Sequence, residues 1–158
     1  MKTCNVLILC VIIGLMTIPA VSAEKGDSEN ANGKDYIVSP WIENSFDTEN
    51  PLFSTLLSQS ISQGQTITNN VNVGSGVNYL EVDLNWGDTS DSLTLNVYTP
   101  SGSKLGTYRD NSDGSANGRI HFSIDPSQGY VQQGTWKFKV YGESVSGTQS
   151  YTFGVALH

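Results

Sequence analysis

From Ser58 onward the chain alternates apolar and polar residues in short runs. The run NYLEVDLNW, 78–86, puts Leu80, Val82, Leu84 and Trp86 on one side and Tyr79, Glu81, Asp83 and Asn85 on the other. SLTLNVYT, 92–99, repeats it with Leu93, Leu95 and Val97. GRIHFSI, 118–124, sets Ile120, Phe122 and Ile124 against Arg119, His121 and Ser123. GTWKFKVYG, 134–142, sets Trp136, Phe138 and Val140 against Lys137, Lys139 and Tyr141. QSYTFGVAL, 149–157, closes the series, while QTITNNVNV, 65–73, and SKLGTYR, 103–109, carry weaker versions of it. A period of two, repeated this often, predicts antiparallel sheet with one face buried and one wet.

The breaks between the runs are turn chemistry: GDTSD, TPSGS, DNSDGSANG, DPSQG and GESVSG. No helical period is sustained after Ser58. These features together predict an all-β fold, an antiparallel, jelly-roll-like β-sandwich of about eight strands.

Ahead of this region the texture changes three times. Residues 1–23 place Lys2 before an apolar run and end in Val21-Ser22-Ala23, the layout of a signal peptide. The run is shorter than the roughly 20 residues a membrane helix needs, and Thr17 and Pro19 interrupt it. Residues 24–35, EKGDSENANGKD, lack large apolar groups and read as a flexible, disordered lead. Residues 36–58 mix apolar runs with Pro40 and Pro51 and read as an N-terminal extension packing on the domain formed by 59–158.

Composition then narrows the functional classes. Both cysteines, Cys4 and Cys10, lie in the leader, so the exported chain offers no disulfide, thiol nucleophile or thiolate metal site. Without Lys2, seven Lys and Arg face fifteen Asp and Glu. The linear sequence holds no basic cluster, which argues against nucleic acid and anionic membrane surfaces as partners. The leader predicts a secreted or cell-surface protein with no membrane insertion after cleavage, and the single domain predicts a monomer.

Catalytic chemistry finds few candidates. His121 reads as a surface residue on the polar side of its strand, and His158 as part of a frayed terminus. Glu81 and Asp83 read as solvated carboxylates that Lys137 and Lys139 can face across the sheet. No nucleophile elbow or phosphate loop is present. Trp41 and Trp86 read as core or edge anchors.

Two groupings suit binding. Oxygen-rich turns carry Asp88 and Asp91, and Asp110, Asn111 and Asp113, making Ca2+ the candidate ion, although the second loop lacks the spacing of an EF-hand. The polar side of the strands displays Tyr98 and Tyr141 beside Asn96 and Lys139. Tyrosines flanked by amides and hydroxyls suit an extracellular polysaccharide or an extended protein segment.

The order VDLNW, SLTLNVYTPSG, GTWKFKVYG and YTFGVAL resembles the bacterial and archaeal pre-peptidase C-terminal domain, a β-sandwich appended to many secreted peptidases and related to the collagen-binding domains of secreted collagenases. The resemblance rests on Trp86, Pro100, Gly102 and Gly134-Thr135-Trp136 and spans roughly residues 59–158. Where the family often has Asp-Leu-Asp-Leu, this chain has Ser92-Leu93-Thr94-Leu95, which weakens the calcium binding some relatives imply. The resemblance implies a secreted, non-catalytic module that binds an extracellular polymer or partner protein. The alternative is a structural cell-envelope component whose acidic surface and lead serve spacing and solubility. Enzymatic activity ranks last.

Overall fold

The structure, a computed structural model, describes residues 36–42 and 55–158. The leader 1–23, the lead 24–35 and residues 43–54 of the expected extension lie outside the described residues.

Among the described residues there are nine strands and no α-helix. In chain order they are β1 (Tyr36–Pro40), β2 (Thr55–Ser62), β3 (Thr66–Val73), β4 (Leu80–Asn85), β5 (Ser92–Tyr98), β6 (Lys104–Tyr108), β7 (Arg119–Pro126), β8 (Gly134–Ser144) and β9 (Thr148–Leu157). A 3-10 turn, Asp110–Asp113, joins β6 to β7. The strands form two antiparallel sheets, ordered β1-β7-β4-β9-β2 and β3-β8-β5-β6. The fold is an all-β sandwich.

The count exceeds eight because β1 and β2 form the two edges of the five-stranded sheet. β1 pairs with β7, and β2 pairs with β9 along all eight of its residues. Tyr36 stacks edge-on against Trp136 at 5.3 Å, and its hydroxyl accepts the Gln132 N–H at 3.0 Å. Desolvation at that half-buried position raises the Tyr36 pKa, partly offset by the Gln132 bond.

The alternation fills the space between the sheets. Leu80, Val82 and Leu84 of β4 meet Leu93, Leu95 and Val97 of β5 and Phe138 and Val140 of β8, all without solvent exposure. Phe138 packs on Phe153 with ring centroids 5.4 Å apart. On β3 the inward set is Ile67, Asn69, Val71 and Val73. Asn69 is the polar member. Its Nδ2 makes no hydrogen bond of good geometry, although the side chain lies close enough to temper the raised pKa of Tyr151.

Two turns explain why the motif residues recur where they do. After β5, the Gly102 N–H donates to the Thr99 carbonyl at 2.9 Å while Gly102 adopts φ +88°, a conformation open to glycine. Gly134 has φ +120°, and a Cβ there would come within 3.0 Å of Pro100. The Pro-x-Gly and Gly-Thr segments that carry the family resemblance are therefore in contact, one seated on the other.

Candidate ligand-binding face

The outer face of the four-stranded sheet is built in cross-strand rows. On β8, Lys137, Lys139 and Tyr141 alternate with the buried Trp136, Phe138 and Val140, so the polar set must point away from the core. Lys137 lies opposite Asn70 of β3 and Tyr98 of β5. Lys139 lies opposite Thr68 and Asn96, and Tyr141 opposite Thr66 and Thr94. β6 extends the rows: Thr107 opposes Asn96, and Lys104 opposes Tyr98 across a bulge.

Contacts within the rows hold the side chains in place. The Thr107 hydroxyl donates to Asn96 Oδ1 at 2.7 Å. Lys139 Nζ sits 4.9 Å from the centre of the Tyr98 ring, a cation–π contact. Tyr98 and Tyr141 stand four residues apart along adjacent strands, roughly 14 Å at the strand rise. Asn96, Tyr98, Lys139 and Tyr141, singled out from the sequence, thus share one face. At its far end Glu143 bonds Arg109, with Nη2–Oε1 at 2.8 Å. The Arg109 hydrogen bond lowers the Glu143 pKa, and the same bond raises that of Arg109.

The structure corrects the expected partners of Lys137 and Lys139. They do not face Glu81 and Asp83, because β4 and β8 belong to different sheets. Asp83 instead pairs with Arg119 of the neighbouring β7, with Nε–Oδ1 at 2.7 Å.

The loop carboxylates proposed as metal ligands face backbone amides. Asp110 Oδ1 accepts the N–H groups of Asn117, Gly118 and Arg119 at 3.0, 2.9 and 3.2 Å. Asp113 accepts from Ser115 and His121. Asp88 accepts the Ser90 hydroxyl at 2.6 Å and its N–H at 2.9 Å; these bonds, the hydroxyl foremost, lower its pKa. Asp91 is buried and accepts the Ser146 N–H, while its carbonyl receives the Trp86 indole N–H. Asn111 is exposed on the 3-10 turn and offers its carbonyl to Gly114. The two loops touch where Gly118 backs onto Gly87; a Cβ on Gly118 would fall 2.8 Å from the Gly87 backbone. Among the described residues no group of three or more His, Cys, Asp or Glu is placed to hold a metal ion.

The largest surprise lies on the outer side of the five-stranded sheet. His121 is buried, not a surface residue: its Nε2 lies 2.9 Å from Glu81 Oε1, and Glu81 is 2% exposed. His158 is not frayed: its N–H donates to the Tyr79 carbonyl, and its Nε2 lies 3.1 Å from Glu81 Oε2. Trp41 stacks on His121 at 5.3 Å and Tyr79 on His158 at 4.4 Å. One carboxylate thus holds two imidazoles beneath two aromatic rings. Both Nε2 atoms face Glu81. The alternation in the sequence put Glu81 and His121 on the side away from the core; what it could not show was that Trp41 and the last residue close over them. A shallow open hollow of about 510 Å³ on the same sheet is lined by Ser58, Ser60, Asn85, Ser150 and Thr152 beside Trp86, with no charged group.

Two sheets, a sealed core and a polar, tyrosine-bearing outer face define a β-sandwich module. Residues 65–142 match the bacterial pre-peptidase C-terminal domain. No curated protein matches the chain. Solved structures similar to it include the Clostridium perfringens CspB protease, at 14% identity and TM-score 0.49, covering 65% of this chain and 24% of that one. This chain thus spans about a quarter of the protease. The Yersinia pseudotuberculosis-derived mitogen is similar at 15% identity and TM-score 0.49, covering 68% of this chain and 87% of that one. So is the Aeromonas hydrophila periplasmic inhibitor of g-type lysozyme, at 14% identity and TM-score 0.45, with coverages of 67% and 87%. Likeness at this level says nothing about a ligand.

Proposed function

We propose that this protein is a non-catalytic extracellular binding module that takes a polymer or an extended partner segment on the outer face of β3-β8-β5-β6. The observation that carries this reading is the row arrangement of Tyr98, Asn96, Lys139 and Tyr141 over a sealed core. The rings offer apolar faces, and the amides and hydroxyls between them offer hydrogen bonds, on a rigid sheet that loses little freedom on binding. Calcium is not required by this reading, because the carboxylates of both loops already serve backbone amides. Export follows from the leader at residues 1–23, and no helix among the described residues is long and apolar enough to cross a membrane.

The test is an array of extracellular polysaccharides and matrix proteins probed with the protein and with Tyr98→Ala and Tyr141→Ala. Saturable binding that either substitution weakens, with unchanged melting, supports the face. Binding indifferent to both substitutions, or no binding, returns the protein to the structural cell-envelope reading.

A further inference from the structure

The described residues contain three lysines, Lys104, Lys137 and Lys139, and all three gather around one ring. Lys137 and Lys104 are the cross-strand neighbours of Tyr98 on its two sides, and Lys139 reaches over it. Their convergence was invisible along the chain, because β6 and β8 are far apart in sequence. Acids are nearly absent from the same sheet. Among the strands β3, β5, β6 and β8 the one acid is Glu143, at the far end and already bonded to Arg109. None of the three lysines makes a salt bridge among the described residues. A protein with net charge −7 therefore presents a cationic patch on the face read above as the binding surface.

We infer that the ligand is an anionic polysaccharide, its carboxylate or sulfate groups meeting Lys104, Lys137 and Lys139 while sugar rings pack on Tyr98 and Tyr141. This rests on the proposed binding face and deepens it. The chemistry favours a sugar polymer over other polyanions for two reasons. The amides and hydroxyls of Thr68, Asn70, Asn96 and Thr107 lie in the same cross-strand rows and can bond sugar hydroxyls, and three lysines do not make the extended positive footprint a nucleic acid needs.

The experiment measures binding of the protein to polygalacturonate and dextran sulfate, with neutral dextran, polyglutamate and single-stranded DNA alongside. It compares the wild type with the triple variant K104Q/K137Q/K139Q and with Tyr98→Ala. Binding to at least one anionic polysaccharide is expected, weakening with salt and falling about tenfold or more in the triple variant. Tyr98→Ala should weaken it as well. The melting temperature of the triple variant should change little, since these lysines are in no ion pair among the described residues. Three results overturn the inference. Tyr98-dependent binding to the neutral polymer, untouched by the triple variant, removes the charge argument and leaves the binding face standing. Polyglutamate or DNA binding as tightly as the polysaccharides removes the sugar. No Tyr98-dependent binding to any probe removes both the inference and the face.

Discussion

Leu95 has no solvent exposure and packs between the two sheets, so Leu95→Ala should cost about 2–5 kcal/mol in urea unfolding, the range for a buried leucine left as a cavity. Glu81 makes a different demand. Its two imidazole partners satisfy a carboxylate that is otherwise shut away from water, so Glu81→Ala strands two rings under Trp41 and Tyr79. A loss of about 3–5 kcal/mol is expected, while His158→Ala, at the half-exposed end, should cost less; paired unfolding curves check the order. Tyr108 and Tyr151 add a pH dependence. Burial pushes both phenols up to about 12. The unfolded phenols ionise near the ordinary value of 10, so these groups leave stability intact below pH 10 and remove it as the pH rises toward 12. Tyr108→Phe should behave like the wild type at neutral pH and lose less stability across that alkaline window, read by denaturant midpoints at each pH.

At the level of the element, the edge strands decide how much chain the fold needs. β1 carries Tyr36 onto Trp136 and leads directly to Trp41, whose N–H donates to the His121 carbonyl at 3.0 Å. β2 begins at Thr55, so a chain starting at residue 59 loses β1 and half of β2. Such a chain should lose near-ultraviolet circular dichroism or melt well below one starting at residue 24; equal melting would show that the two edge strands contribute nothing to the core. β6 is short and depends on Gly106. A Cβ there would fall 2.7 Å from the Tyr108 hydroxyl, and Tyr108 packs on Phe122 at 4.5 Å. Gly106→Ala must push that ring aside, with a cost of about 1–3 kcal/mol as for other overpacked sites.

For the whole molecule, charge is divided by sheet. The strand acids Glu81, Asp83 and Asp125 belong to the five-stranded sheet, and the lysines belong to the other. Among the described residues the one acid on the lysine-bearing sheet, Glu143, is paired with Arg109, and the loop carboxylates Asp88, Asp91, Asp110 and Asp113 are bonded to amides, so millimolar calcium should not raise the melting temperature relative to chelator. A rise with calcium and none with magnesium would instead assign a metal to the Asp88–Asp91 or Asp110–Asp113 loop.

The alternation of apolar and polar residues by itself determined the sandwich, its core strands and the turn positions, because a period of two has one physical meaning when a face must be buried. It also put Tyr98, Asn96, Lys139 and Tyr141 on outward positions of their strands. It did not say which strand lies beside which. That choice separated Lys137 from Glu81, set Lys137 beside Tyr98 on the side opposite Lys104, and brought His121 and His158 to one carboxylate. Strand order is set by the summed packing of both sheets, a property of contacts between distant residues that no local pattern records. The outward face of a strand can be read from its own residues; what covers that face, or lies next to it, is decided only when the sheets close.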